Sequence, residues 1–335
     1  MGKTMIRILA VVVLLAMLAV LVPSATPLAI GEAAVEYPVY SPVELTAEVA
    51  PIPYAEDTPY APHADGFVAF DPAVPYAPQT EKYYPAYSGY QDESLSVRVE
   101  YTYAYDTTIQ LTWVQIAHPS QLRAATCRPY PSKSVAYASV IAERVNAVLA
   151  INGDWFMHRK EGYITRNGEA PYRQYFGRNI ELFDVLIIDE NSDFHIIRSY
   201  SEEKINDFLN NSGHQIIHSY TFGPALVVDG VRNTEYLMNE CAPERQTQRI
   251  AVCQMAPLSY LIIATEGPEN KGSKGLTLEQ FSQFCLDMGV QQAYNLDGGS
   301  SSSVILGNKK INSLSTGKKR TVGDILYFVT GLPEE

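Results

Sequence analysis

Positive charge is scarce in this chain of 335 residues: 25 Lys and Arg stand against 37 Asp and Glu, a formal net charge of −12. Nucleic-acid backbones demand clustered cations, so this balance excludes a nucleic-acid binder while leaving room for one local cationic pocket around a single phosphate. Cysteine is scarce too. Cys127, Cys241, Cys253 and Cys285 are too few and too scattered to staple a chain this long, so an apolar core must hold it. If one bridge forms, Cys127 with Cys241 is the pair expected, because both lie in loop-like sequence near proline. After the apolar run from Ile8 to Val22, no stretch approaches the length of a membrane span. The serine run Ser300 to Ser303 lacks the Gly-x-Ser-x-Gly spacing that exposes a nucleophile between strand and helix, which argues against an acyl-transferring serine hydrolase.

What is present falls into three parts. Residues 1–29 order Lys3 and Arg7, the apolar run, then Pro23, Ser24 and Ala25, the pattern of a secretory signal or an uncleaved N-terminal membrane anchor. Either places the rest outside the cytoplasm, secreted or at the cell surface. Residues 30–90 are crowded with Pro and Tyr, as in Tyr37-Pro38-Val39-Tyr40-Ser41-Pro42, and read as an extended spacer, since proline removes donors and fixes φ. Residues 91–335 carry the periodic sequence of one catalytic domain.

Within that domain, alternation in Ser94 to Tyr101 and Thr108 to Ala117 predicts two opening strands. Further strands are predicted over 184–188, 194–198, 225–231, 249–254, 260–265, 302–306 and 324–329. Two helices stand out. Val135, Ala138, Ile141, Ala142 and Val145 recur at helical spacing before the apolar Val148 to Ile151. Leu278, Phe281, Cys285 and Met288 form a second stripe behind a Thr277/Gln280 capping box, closed by Gly289. The expected fold is α+β, sheet-rich and mostly antiparallel, with a few packed helices.

Each helix feeds a strand with an unusual tip. One ends in Asn152-Gly153-Asp154-Trp155-Phe156, where the glycine permits a bend and the aromatic pair either packs or offers a face to a sugar ring. The other ends in Asn295-Leu296-Asp297-Gly298-Gly299-Ser300-Ser301, whose alternation places Asn295 and Asp297 on one face and whose glycines can expose amides to an anion. Taken singly, each also reads as an Asx-stabilised turn. Two carboxylates on neighbouring strand tips would suit glycoside chemistry, in which one group protonates a leaving group and another assists the attack.

Five segments occur in a telling order: Ala150 to Phe156, Phe222 to Val227, Arg249 to Gln254, Gly275 to Leu278 and Asn295 to Ser301, followed by Arg320-Thr321-Val322-Gly323-Asp324. Together they resemble the phosphodiester glycosidase family. The resemblance implies hydrolysis of a sugar-1-phosphodiester, on a carbohydrate or cell-surface polymer, with Asp297 and Asp154 as acid/base residues. It implies a pocket lined by Asn152, Gly153, Arg249, Gly298 and Gly299, with Arg166 where bacterial members tend to carry a basic residue; the alternation and hydroxyls of the second tip add Asn295, Ser300 and Ser301 to the expected lining. Guanidinium forks match two phosphate oxygens at once, which suits Arg249 and Arg166 to that substrate. Ser300 and Cys253 stand where the family usually carries glycine, so the loop and the strand are expected to approach the pocket less openly. Alternation puts Cys253 on the Arg249 side, either bordering the site or in the core.

No organic cofactor is indicated, and the sequence leaves a divalent ion open. Asp189 to Asp193 imitates the start of a calcium loop, but Phe194 and Tyr200 replace the required Gly and Glu, so a hairpin turn is expected. His214 and His218 are four apart without an evident third ligand, and no metal site is assigned to them. His158 is expected to wall the pocket, and Lys318-Lys319-Arg320 reads as a solvated turn. The competing reading is a non-catalytic cell-surface module that binds a glycan or sugar phosphate with the same tips.

Overall fold

The computed structural model describes residues 28–30, 33–35, 77–129, 132–168, 173–237, 241–268, 270, 272–313 and 319–331. Residues 1–27, where a signal or anchor is expected, and most of the expected Pro/Tyr spacer lie outside the described residues. The chain divides into two units, Met1–Glu48 and Val49–Glu335. In the first, Leu28–Ile30 and Ala33–Val35 pair as short antiparallel strands. Among the described residues no helix is long and apolar enough to cross a membrane.

In chain order the second unit contains β1 (Gly89–Gln91), β2 (Leu95–Ala104), β3 (Thr107–Ile116), β4 (Leu122–Thr126), α1 (Ala138–Arg144) and β5 (Leu149–Asn152). There follow β6 (Tyr163–Ile164), β7 (Arg173–Gln174), β8 (Val185–Ile188), β9 (Phe194–Ile197), α2 (Glu202–Asn211) and β10 (His218–Tyr220). Then come β11 (Ala225–Val228), β12 (Val231–Arg232), β13 (Ile250–Ala256), β14 (Ser259–Thr265) and α3 (Leu278–Asp287). Last are β15 (Gln292–Leu296), β16 (Val304–Leu306), β17 (Lys309–Lys310) and β18 (Asp324–Phe328). An eight-stranded sheet runs β12-β11-β15-β13-β14-β3-β2-β1, and a five-stranded sheet runs β17-β16-β5-β18-β4. A three-stranded sheet, β9-β8-β10, and the short pair β6-β7 complete it. Every strand pairing among the described residues is antiparallel.

The alternation of β13 shows why the sheets stack. Ile250 and Val252 enter the central core, where they join Leu149 and Ile151 of β5, Leu326 and Phe328 of β18, and Leu186 of β8. Ala251 and Cys253 point the other way and are covered by Leu278, Phe281 and Cys285 of α3. The five-stranded sheet buries its outer face under Ala138, Ile141 and Ala142 of α1. The central strands of the large sheets are thus covered on both faces, which is why Val148 to Ile151, Ile250 to Cys253 and Tyr260 to Ala264 read as apolar runs. Thr277 and Gln280 form the expected capping box: the Thr277 hydroxyl accepts the Gln280 amide at 3.2 Å, and Gln280 accepts the Thr277 amide at 3.0 Å.

Three expectations change. The polar helix α2, capped by Ser201, buries only Ile205 and so leaves little apolar period to read. The cysteine pair Cys127 and Cys241 is not bridged; all four cysteines are free thiols. The packed fold also starts before residue 90, since Tyr90 is fully buried and Tyr83 and Tyr87 pack on the central core. Gly307 explains the fit, because a Cβ there would lie 2.7 Å from the Tyr87 ring and 3.2 Å from Tyr83. Removing residues 1–76 should leave the melting midpoint unchanged, whereas removal through residue 88 should cost roughly 2 kcal/mol or more by stripping aromatic packing. Equal thermal melts for the two truncations would contradict this boundary.

Candidate active site

β5 and β15 belong to different sheets, yet one side chain joins their tips. Asn152 is fully buried; its amide donates to the Asp297 carbonyl at 2.8 Å and to the Gly153 carbonyl at 3.1 Å. Its Oδ1 accepts the Ser303 amide at 2.9 Å. Asn152 is thus a stitch between the tips, spent on backbone.

The glycines answer to close approach. A Cβ on Gly153 would lie 2.4 Å from both carboxylate oxygens of Asp324, and a Cβ on Gly298 would meet the Gln248 carbonyl at 2.5 Å. Gly299 turns the chain at φ +56, and its amide donates to that same carbonyl at 3.0 Å. The Gly299 amide is therefore engaged by backbone, a correction to the expectation that it holds phosphate.

Two arginines expected to grip phosphate have other work. Arg166 is fully buried and spends all five N–H groups. Nε and Nη2 donate to Asp324 Oδ2 at 2.9 and 2.6 Å, Nη2 donates to Asp154 Oδ1 at 3.2 Å, and Nη1 donates to the carbonyls of Thr165 and Ser219. Its guanidinium lies over the Tyr220 ring, 4.0 Å from the centroid. Arg249 donates to the carbonyls of Leu276, Cys241, Ala242 and Arg245 at 2.6–3.1 Å, pinning the 241–245 loop. Burial holds its pKa down to about 10, so it stays charged at neutrality. We expect Arg249→Lys to leave KM essentially unchanged but to cost roughly 2–3 kcal/mol in a denaturant titration, because an ammonium cannot serve four spread carbonyls. A raised KM with intact stability would return Arg249 to the pocket.

Asp154 is likewise sealed. Its side chain is 0% exposed; one oxygen meets Arg166 and the other accepts the Thr221 amide at 2.8 Å. The structure makes it an anchor for Arg166 rather than a proton-transfer partner. Asp324 is the member of this trio that reading for tips missed, although it closes the Arg320 to Asp324 motif. Two carboxylates share one guanidinium, so the pair carries excess negative charge. Burial raises the Asp324 pKa to about 7; the Arg166 cation opposes the rise and the Asp154 charge adds to it. A carboxyl whose folded pKa lies above its unfolded value contributes stability that is fully present below about 4 and lost as pH rises through about 7. Asp324→Asn, fixed in the neutral form, should therefore gain on the parent protein as pH climbs from 4 to 8; parallel stability curves would refute the assignment.

Asp297 differs from both. Its side chain is 14% exposed, at the mouth of the two tips. Burial raises its pKa, while a Ser301 hydrogen bond and the charges of Arg320, Arg159 and His158 pull it back. Arg320 Nη1 lies 3.6 Å from Asp297 Oδ2 and 3.3 Å from Ser301 Oγ, and the Arg320 amide donates to the Ser300 carbonyl at 3.1 Å. The Arg320 side chain is half exposed, so the solvated turn foreseen there also serves the site. The Arg159 guanidinium lies over Phe183 and Phe222, 5.0 and 5.7 Å from their centroids. Trp155 packs its ring 5.2 Å from that of His158, whereas Phe156 is buried. Asn295 donates to the Gly223 carbonyl at 2.8 Å, and its buried Oδ1 has no hydrogen-bond partner among the described residues. Cys253 does not border the site: its thiol is buried against Cys285, and burial pushes its pKa up.

A stack of antiparallel sheets with an accessible carboxylate inside a fringe of cations defines a class that solved structures share in fold. The zebrafish N-acetylglucosamine-1-phosphodiester alpha-N-acetylglucosaminidase catalytic domain, solved auto-inhibited by its pro-peptide, superposes with a TM-score of 0.55 at 16% identity, over 70% of this chain and 82% of that one. A hypothetical protein from Synechocystis matches with a TM-score of 0.51 at 14% identity, over 71% of this chain and 62% of that one. The phosphodiester glycosidase family model matches residues 145–329, more than half of the chain and both tips. The chain belongs to the phosphodiester glycosidase family. The SPbeta prophage-derived uncharacterized protein YomE of Bacillus subtilis (strain 168) is 26% identical over 189 residues, 56% of this chain but 28% of that relative. The chain therefore spans under a third of the curated relative it matches.

Proposed function

We propose that this protein hydrolyses sugar-1-phosphodiesters outside the cytoplasm, with Asp297 as the acid/base residue. The observation that carries the reading is Asp297 itself, the one carboxylate of the two tips that reaches solvent, with Arg320, Arg159 and His158 around it. Water adds to the anomeric carbon as Asp297 takes its proton; the bond from that carbon to the phosphate oxygen breaks, and its electron pair leaves with a phosphomonoester. Such a leaving group is a stable anion, so positive charge serves it better than proton donation. Arg320, Arg159 and His158 supply that charge, and the Trp155 ring offers a flat face to the sugar. The order of basic, apolar and small residues at Lys3 to Ala25 supports export.

The test is incubation with a sugar-1-phosphodiester and assay for free sugar and phosphomonoester in equal amounts. Binding without turnover would sink the hydrolase reading in favour of a glycan-binding module. Because Asp297 must be ionised to accept a proton, activity should rise with pH through a carboxyl pKa displaced above the ordinary range.

A further inference from the structure

A second cluster of chemistry-bearing side chains lies at the far end of β8 from Asp184. Asp189 follows β8, and its Oδ1 accepts the amides of Asn191 and Asp193 at 2.8 and 2.9 Å, forming the expected hairpin turn into β9. With that oxygen tied down and the side chain 0% exposed, Oδ2 is left facing two imidazoles. His195 Nε2, from β9, lies 2.9 Å away, and His214 Nδ1, from the segment leaving α2, lies 3.0 Å away. The same His214 nitrogen is 3.1 Å from Glu190 Oε1, and Glu190 Oε2 accepts the Gln215 amide at 2.7 Å. His218 is elsewhere: it is fully buried, and its Nδ1 accepts the Asn167 amide.

We infer that Asp189, Glu190, His195 and His214 form a binding site for a zinc-class divalent cation. Two imidazole nitrogens and two carboxylate oxygens make the four-ligand set that zinc takes, and the nitrogens disfavour calcium and magnesium. Bonds of about 2.0–2.1 Å in a tetrahedron put ligand atoms about 3.3 Å apart, so the Asp189, His195 and His214 atoms, all within 4.8 Å of one another, need only short shifts, while Glu190, 3.1 Å from His214 Nδ1, would swing in as the fourth ligand. The rings can move that far, because His195 and His214 are 32% and 34% exposed, which also gives the ion an entry path. Both carboxylates already have their second oxygen held by backbone amides, the outer support that orients metal ligands. Two negative charges would offset the dication. A bound ion would clip the β8-β9 turn to the chain leaving α2. The role is structural, and the inference is independent of the hydrolase proposal.

The experiment uses the full chain, without an affinity tag and stripped with a chelator, titrated with Zn²⁺ by calorimetry and with Co²⁺ by visible absorption. One equivalent should bind, Co²⁺ should show the intense bands of a tetrahedral site, and saturating Zn²⁺ should raise the melting midpoint by about 5 °C or more. Ca²⁺ and Mg²⁺ should do neither. His195→Gln and His214→Gln alter partly exposed rings and spare the Asp189 turn; each should weaken Zn²⁺ by more than the roughly 10–100-fold that loss of an outer partner costs. Absence of Zn²⁺ binding, or undiminished binding by the folded double variant, would overturn the site and leave a hydrogen-bonded cluster.

Discussion

Asp297→Asn is expected to yield a folded protein whose kcat on a sugar-1-phosphodiester falls by about 10²–10⁴. The substitution keeps size and turn chemistry, and the stitch from Asn152 reaches the Asp297 main-chain carbonyl, which survives. Only the proton acceptor is lost. Ser301 and Arg320 can still meet a carboxamide oxygen, so substrate affinity should change little while turnover collapses. Calorimetry with the phosphodiester beside a free-sugar assay separates the outcomes. A folded variant that turns over normally removes Asp297 from the mechanism, and one that fails to fold makes it a turn residue.

The largest expected loss of stability belongs to Arg166→Ala, about 3–5 kcal/mol in a denaturant titration. The guanidinium is the shared partner of Asp154 and Asp324, and removing it leaves two carboxylates in a dry core and takes a donor from the Thr165 and Ser219 carbonyls. The double variant with Asp324→Asn should recover part of the loss, because one buried charge is then gone. No recovery would mean that packing over Tyr220 and Phe156, rather than charge, is what Arg166 supplies.

Much of the fold was legible because its inner strands are buried: β8, β13 and β14 are apolar runs bounded by turn residues, and β3 alternates. β4 and β10 were not, since Leu122 to Thr126 and His218 to Tyr220 carry polar residues whose partners come from distant chain. The candidate site was half legible. Asn152, Gly153, Asp297 and Gly298 announced themselves as tips, but what Asn152 and Gly153 do depends on contacts over 145 residues or more, such as Gly153 against Asp324. Arg166 and Arg249 show the limit most plainly: guanidinium chemistry suits phosphate and a ring of carbonyls equally well, and only the packed chain shows which is present. Arg320 failed in the opposite sense, because a Lys-Lys-Arg run has the sequence of a solvated turn whether or not it leans on a carboxylate. The four-residue spacing of His214 and His218 could not show that His214 faces Asp189, which lies 25 residues before it at the end of β8.

The place of β18 has a consequence for when the protein can fold during synthesis. Among the described residues Leu122–Thr126 has no neighbour in its sheet except Asp324–Phe328, which also flanks Leu149–Asn152 on its other edge. A nascent chain that has released the first helix and its strand therefore holds an incomplete sheet until about 170 further residues have emerged. Closing such distant pairs is slow, because loop entropy is lost before contacts repay it. The eight-stranded sheet, rich in pairs between neighbouring strands such as β2 with β3 and β13 with β14, is free to form first. Until Asp324–Phe328 emerges β4 lacks that partner, β5 has β16 on one edge alone, and Asp324 is missing beside Arg166, so a ribosome-tethered chain stalled before residue 324 should be protease-sensitive around residues 122–126 and inactive, and release of the full chain should restore both properties together.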